Sequence, residues 1–397
     1  MIFKYIQEPN IGALFRSRDS LVYVNRARKQ IGWRVLPRTK PFWWLCNLWA
    51  LILALLIFVY VPYALLMAGI KEFKNFTTTE LFTYIQAPVN TSAFMIKIIK
   101  VFFLRARFAK ALKIMDIMDT RCTKMEEKLQ VHRSAALCNK IVIIYHFVYM
   151  GFLTMTVLGA VVAGKTPFCL YNPVTSPAEH LYLAIAMETG TIGWVVFGNL
   201  ILDVYPVLFV VTLRTHTELL RQRINDLRSD PDKPDEQHYV ELTDCIKDHK
   251  LIVELGNTMR PVISASLFIQ LLSVGLLLGF CVVSLQFYTT TMERLASAAY
   301  INAIICQTFP CCYVCELLTH DCETLTNTLF HSNWIGADRR YRTTMLHFIY
   351  NAQKPILFNA GGIFTICIRT NLKLAKFAFS VVTIVNQMDL AEKLRRE

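Results

Sequence analysis

Apolar positions along this chain gather into long uncharged runs, not into alternating or one-sided patterns. Residues 42–69 (FWWLCNLWALILALLIFVYVPYALLMAG) carry no charge over 28 positions. About 20 apolar residues suffice to cross a bilayer core, so this run predicts a transmembrane helix. Trp43, Trp44 and Trp49 stand near its first end, where amphipathic rings favour the interface. Further runs predict spans over 79–104, 138–163, 188–213, 261–288, 297–318 and 371–391. In the second of the seven, Lys97 and Lys100 lie near the end, from which long basic side chains snorkel to the interface. Pro62, Pro88, Pro206 and Pro310 fall inside spans, where neighbouring helices satisfy the freed carbonyls.

Residues 355–368 (PILFNAGGIFTICI) are also uncharged. As a helix they reach only about 21 Å, short of a core about 30 Å thick. They predict a helix packed inside the protein on the cytoplasmic side. Were they to span, there would be eight crossings. The clearest break elsewhere is 228–238 (RSDPDKPDEQH), two prolines among acidic residues. The stretches 205–227 and 239–260 on either side look helical. With 319–368 they form a predicted cytoplasmic helical bundle. The outer loop 164–187 is long enough to fold over the outer face as a lid.

Cations set the direction of the spans. The N-terminal segment 1–41 has nine Lys and Arg, loop 105–137 eight and loop 214–260 eight. Loop 70–80 has two, 164–187 one and 289–296 one. The positive-inside rule therefore puts the N-terminus in the cytoplasm, and seven spans put the C-terminus outside. That is the reverse of a G-protein-coupled receptor. A glycosylation sequon at Asn75 falls in a loop predicted outside and agrees.

Composition fits this picture. Hydrophobic residues make up 54% of the 397 and charged residues 18%, against about 25% in a soluble domain. Such a chain is neither disordered nor a disulfide-rich secreted scaffold. The net charge of +13 would suggest nucleic acid on a soluble domain. Here the cations sit between apolar runs and read as a topology signal, so no nucleic-acid partner is expected. Cys169 is the one cysteine of twelve in a predicted outer loop, so no disulfide framework follows. Cys312 and Cys315 have a CxxC spacing but sit in an apolar span, where small buried hydrophobes are the simpler reading. No HExxH, GxSxG, P-loop or dinucleotide fingerprint is present, so neither an enzyme nor a cofactor is expected. Two similar halves, as in many transporters, are not seen either. Glu188 and Asp203 are carboxylates in or near the fourth span whose partners the sequence does not reveal, and for Asp203 structural and functional roles both stay open.

In the last run, Lys373, Lys376, Ser380, Thr383 and Gln387 follow steps of three and four, a polar stripe on an apolar helix. Ile384 and Met388 stand beside it. Such a stripe suits a multi-subunit pore wall gated by dewetting at an apolar ring. It suits equally a helix–helix interface joined by Ser, Thr and Gln. A ligand-gated channel, an inverted seven-helix receptor signalling metabotropically and an accessory membrane subunit are all compatible with these features.

Several phrases resemble the insect odorant receptors, along essentially the whole chain. They are Leu170-Tyr171-Asn172-Pro173, Met125-Glu126-Glu127, Gln307-Thr308-Phe309-Pro310 with Cys312-Tyr313, Ser332-Asn333-Trp334, Asn359-Ala360-Gly361-Gly362-Ile363-Phe364, and Ala378 through Ile384. The chain looks like a ligand-tuned fly receptor, because the longer cytoplasmic loop of the shared co-receptor is absent. Gustatory receptors end in Thr-Tyr, five hydrophobic residues and Gln-Phe. The same frame here keeps only Gln387 in full.

The resemblance implies an all-α, polytopic membrane protein. It would have seven transmembrane helices, a cytoplasmic N-terminus, an extracellular C-terminus and a cytoplasmic helical anchor. Its parts would be 1–41 (cytoplasmic segment), 42–318 (spans one to six), 319–370 (anchor helices) and 371–397 (last helix and tail). It further implies a subunit of a tetrameric, nonselective cation channel, formed with the odorant co-receptor in the plasma membrane of olfactory neuron dendrites. Ser380, Thr383, Ile384, Gln387 and Met388 would line or gate the pore. The ligand, a small volatile odorant, would bind in the outer half among helices two, three, four and six. Those helices offer Phe94, Tyr149, Phe152, Trp194, Phe197 and Tyr300, whose rings suit apolar molecules through burial and shape. For each, ordinary helix packing is the competing role.

Overall fold

In the computed structural model the chain is a bundle of long helices, described over residues 4–8, 14–33, 42–71, 76, 78–173, 179–285 and 291–387. The helices are α1 (Val22–Gln30), α2 (Trp43–Lys71), α3 (Thr78–Phe103), α4 (Arg105–Thr120), α5 (Met125–Ala163), α6 (Leu181–Asn225), α7 (Asp235–Ser284), α8 (Thr291–His331), α9 (Arg339–Ala352) and α10 (Ile368–Gln387). Five are individually long and apolar enough to cross a membrane: α2, α5, α6, α7 and α8 over Arg294–His331. α3 and α4, which meet at a 61° bend at Leu104, together are long and apolar enough for a sixth, broken span. α10 has 20 residues, about 30 Å of helix at 1.5 Å per residue, the length of the seventh span that the sequence predicts.

α6 and α7 are longer than a bilayer crossing requires, and both cover stretches that the sequence reads as helical extensions. α6 has 45 residues and α7 has 50, about twice the length a bilayer core needs. Pro206 and Pro310 are accommodated inside α6 and α8, and Pro88 inside α3. In α2 the turn Leu56–Tyr60 widens into a π-bulge just before Pro62, which supplies no N–H to the ladder. α6 is the central element, with most of its length buried among α5, α7 and α8.

The cation-rich ends are joined by ion pairs. Arg223 of α6 holds Glu127 of α5 (2.7 Å) and also Asp248 of α7, which Arg121 engages from the end of α4. Asp226 pairs with Lys124 at 2.7 Å and raises that ammonium's pKa above its ordinary value. The N-terminal segment docks on the same end. Phe15 stacks on His132 of α5 at 4.1 Å, and Ser17 N–H donates to Asp119 of α4 at 2.8 Å. Asn139 of α5 donates to the Asp19 carbonyl.

Residues 355–368 depart from the helix predicted for them. They are extended and turn through a small hairpin, β1 (Asn359–Ala360) against β2 (Phe364–Thr365). Gly361 and Gly362 both have positive φ, 60° and 76°, which L side chains rarely adopt. A Cβ on Gly361 would lie 2.5 Å from the Phe268 ring of α7, so the turn needs a glycine there twice over. The hairpin is tied to α7 by Ser264, which donates to the Asn359 carbonyl and accepts the Gly361 N–H.

Candidate functional site

At the end of the bundle opposite the ion pairs, α3, α5, α6 and α8 part around a cavity of about 160 Å³. Ile192, Val195 and Val196 of α6 form its apolar back wall, and Ala160 and Phe152 of α5 a side. Gln86, Asn90 and Thr91 of α3 give it a polar edge, and Ser297 of α8 adds a further hydroxyl to the lining. The ring of Tyr300 lies 5.0 Å from that of Phe152, both on the wall. Burial of an apolar molecule here supplies affinity, and the few polar groups supply orientation.

The outer loop lies against this end, and a buried carboxylate holds its middle. Glu188 of α6 is 3% exposed and accepts the N–H groups of Phe168 and Leu170, each at 2.9 Å. Cys169 between them takes a left-handed conformation (φ 52°), which lets both N–H groups face the same side chain. Lys165 pairs with Glu80 of α3 at 2.9 Å, and Tyr171 N–H donates to the Ala64 carbonyl of α2. Residues 165–169 thereby form part of the cavity wall.

Below the cavity, five spans each lend a polar side chain to one buried network. Lys97 of α3 pairs with Asp203 of α6 at 2.7 Å, with side chains 1% and 2% exposed. Tyr149 of α5 donates to the other Asp203 oxygen at 2.7 Å. Lys97 also donates to Gln270 of α7 at 2.6 Å, and Gln270 reaches Gln307 of α8. Lys97 therefore does not snorkel. Its charge finds a partner within the bundle, where packed helices leave it no path to an interface. Tyr149 is one turn from Phe152, and Gln307 lies seven residues past Tyr300, about 10 Å along α8.

The six aromatic candidates thus occupy different places. Phe152 and Tyr300 line the cavity. Tyr149 belongs to the network beneath it. Phe94 is fully enclosed, its ring near Trp33 and so close to Gly198 that a Cβ there would collide with it. Trp194 sits edge-on to Trp49 of α2 at 5.7 Å, and Phe197 beside His146 at 5.8 Å. Sequence reasoning missed the polar edge of α3, and it marked Glu188 as a carboxylate in need of a partner without revealing the two N–H groups it holds. A glutamine, asparagine or threonine within an apolar run carries no signal of which neighbour it faces.

On α10, Ala378 is buried and Leu374 packs beside Gly275 of α7. Lys373, Lys376, Ser380 and Thr383 are exposed. Ser380 and Thr383 each donate to a carbonyl one turn back, those of Lys376 and Phe379, at 3.0 Å. Ile384 and Gln387 lie on this helix, but their side chains are outside the described set. Met388 and the Asn75 sequon lie outside the described residues.

The structure defines a polytopic helical membrane protein with a cavity at one end of its bundle. Comparison with known sequences then places it. The model of the 7tm Odorant receptor family matches residues 77–379, and the chain belongs to that family. It is 66% identical to Odorant receptor 85a of Drosophila melanogaster over 397 residues, all of both chains. It is 37% identical to Odorant receptor 42b of the same fly, again over the full length of both. Among solved structures it resembles the insect olfactory receptor OR5 of Machilis hrabei, with a TM-score of 0.76 at 13% identity, covering 94% of this chain and 98% of that one. The same receptor in complex with eugenol matches with a TM-score of 0.73 at 12% identity, covering 93% and 100%.

Proposed function

We propose that the chain is the ligand-tuned subunit of an odorant-gated, nonselective cation channel, assembled with the odorant co-receptor in the plasma membrane of olfactory neuron dendrites. The observation that carries this reading is the cavity among α3, α5, α6 and α8, mostly apolar and walled in part by the outer loop. A small volatile molecule fits it by burying its apolar body while Asn90, Thr91 or Ser297 orients one polar group. The structurally similar Machilis receptor in complex with eugenol supports a small-molecule ligand.

The exposed polar residues of α10 suit the wall of a shared pore. Ser380 and Thr383 would support water, while Ile384 and Met388 would form the apolar gate beside Gln387. Ligand binding opens such a pore only through higher affinity for the open arrangement. The test is to express the chain with the co-receptor and record currents while G-protein signalling is blocked. Odorant-evoked cation currents that persist support the channel; currents abolished by the block overturn it in favour of metabotropic signalling.

A further inference from the structure

A second, wider cavity of about 1060 Å³ opens at the inner edge of the apolar band, between α4, α7 and α9. Four cations from three parts of the chain converge on it. Arg107 and Lys110 come from α4, Lys250 from α7 and Lys354 from the turn after α9. One carboxylate, Glu254, lines the cavity as well and pairs with Lys110 at 2.7 Å, while Arg107 also donates to the Thr258 carbonyl and Lys354 lies 5.1 Å from the Tyr350 ring. His249, His347 and Asn351 add further hydrogen-bonding groups.

Its level in the membrane follows from the sequence on either side. Arg107 is four residues past Phe103, the last of α3, and Thr258 on the cavity wall is three residues before the uncharged run that starts at Pro261. At the adjoining end of α3, Phe102 and Phe103 are 58% and 76% exposed. A topology signal needs cations in the cytoplasmic loops, but it does not need them gathered around one hollow. Basic pockets between spanning helices on the cytoplasmic side suit the phosphorylated head groups of anionic lipids.

We propose that this cavity binds the head group of an inner-leaflet phosphoinositide, with the acyl chains against Phe102 and Phe103. Arg107, Lys250 and Lys354 hold the phosphates, and Glu254 weakens the site by occupying Lys110.

The test uses the purified full-length chain. Binding of dioctanoyl phosphatidylinositol 4,5-bisphosphate is measured against inositol trisphosphate and dioctanoyl phosphatidylcholine. The expected result is tightest binding of the bisphosphate lipid, weakened at least tenfold in R107Q/K250Q/K354Q. Binding should be unchanged in K128Q, whose residue is exposed on α5, away from the hollow. E254Q should tighten binding severalfold. Equal binding of inositol trisphosphate overturns the lipid source. Equal binding of phosphatidylcholine, or no binding of the bisphosphate lipid, overturns the site. Should the triple variant fail to fold, E254Q decides, and unchanged or weaker binding there overturns the proposal.

Discussion

Phe152 and Tyr300 meet on the cavity wall, whereas Phe94 is enclosed between Trp33 and Gly198. Truncating each should therefore fail differently. F152A or Y300A removes apolar contact worth about 1.5–3 kcal/mol to a buried ligand, roughly one to two decades of affinity. The expected outcome is about a tenfold or larger shift in odorant EC50 with surface expression retained. F94A leaves a void and costs about 3–5 kcal/mol of stability. It should lower surface expression while leaving the EC50 of the surviving receptors unchanged. Dose–response curves normalised to surface-labelled protein check both, and altered odorant selectivity in a well-expressed F94A would place that ring in the pocket after all. The aromatic residues were visible in the sequence, but their facing was not. A ring inside an apolar run has an apolar neighbour on every side, so periodicity does not separate the cavity wall from the packed core.

At the scale of elements, uncharged runs sufficed to place the long helices and their extension beyond a bilayer's length. They did not suffice for the hairpin at 359–365, where a short apolar run suits helix and strand alike and only Gly361-Gly362 signals a turn. Nor did they reveal the Lys97–Asp203 pair, whose members are 106 residues apart and meet only once α3 packs on α6. That pair joins elements, so its loss should be read as a cycle. K97M leaves Asp203 buried with Tyr149 and no cation, and breaking a buried pair typically costs about 3–5 kcal/mol. K97M and D203L alone should each sharply lower the unfolding temperature in detergent. The double variant K97M/D203L, which leaves neither charge of the pair, should recover most of the loss. Full stability of either single variant would show that the pair contributes nothing to holding α3 against α6.

For the whole molecule, the path of the last helix decides which side the chain ends on. The N-terminal segment packs against α4 and α5 at the cation-rich end, where α7 also begins at Asp235. α10 follows the hairpin that is tied to Ser264 of α7, and further along it Leu374 lies beside Gly275. α10 and α7 thus climb in the same direction, away from the cation-rich end and towards the level of the outer cavity. The positive-inside rule makes the cation-rich end cytoplasmic. An epitope fused after Glu397 should therefore be labelled on intact cells, and one fused before Met1 only after permeabilisation. The reverse pattern would turn the bundle over, putting the outer cavity and its Glu188 clasp in the cytoplasm, out of reach of airborne molecules arriving from outside the cell.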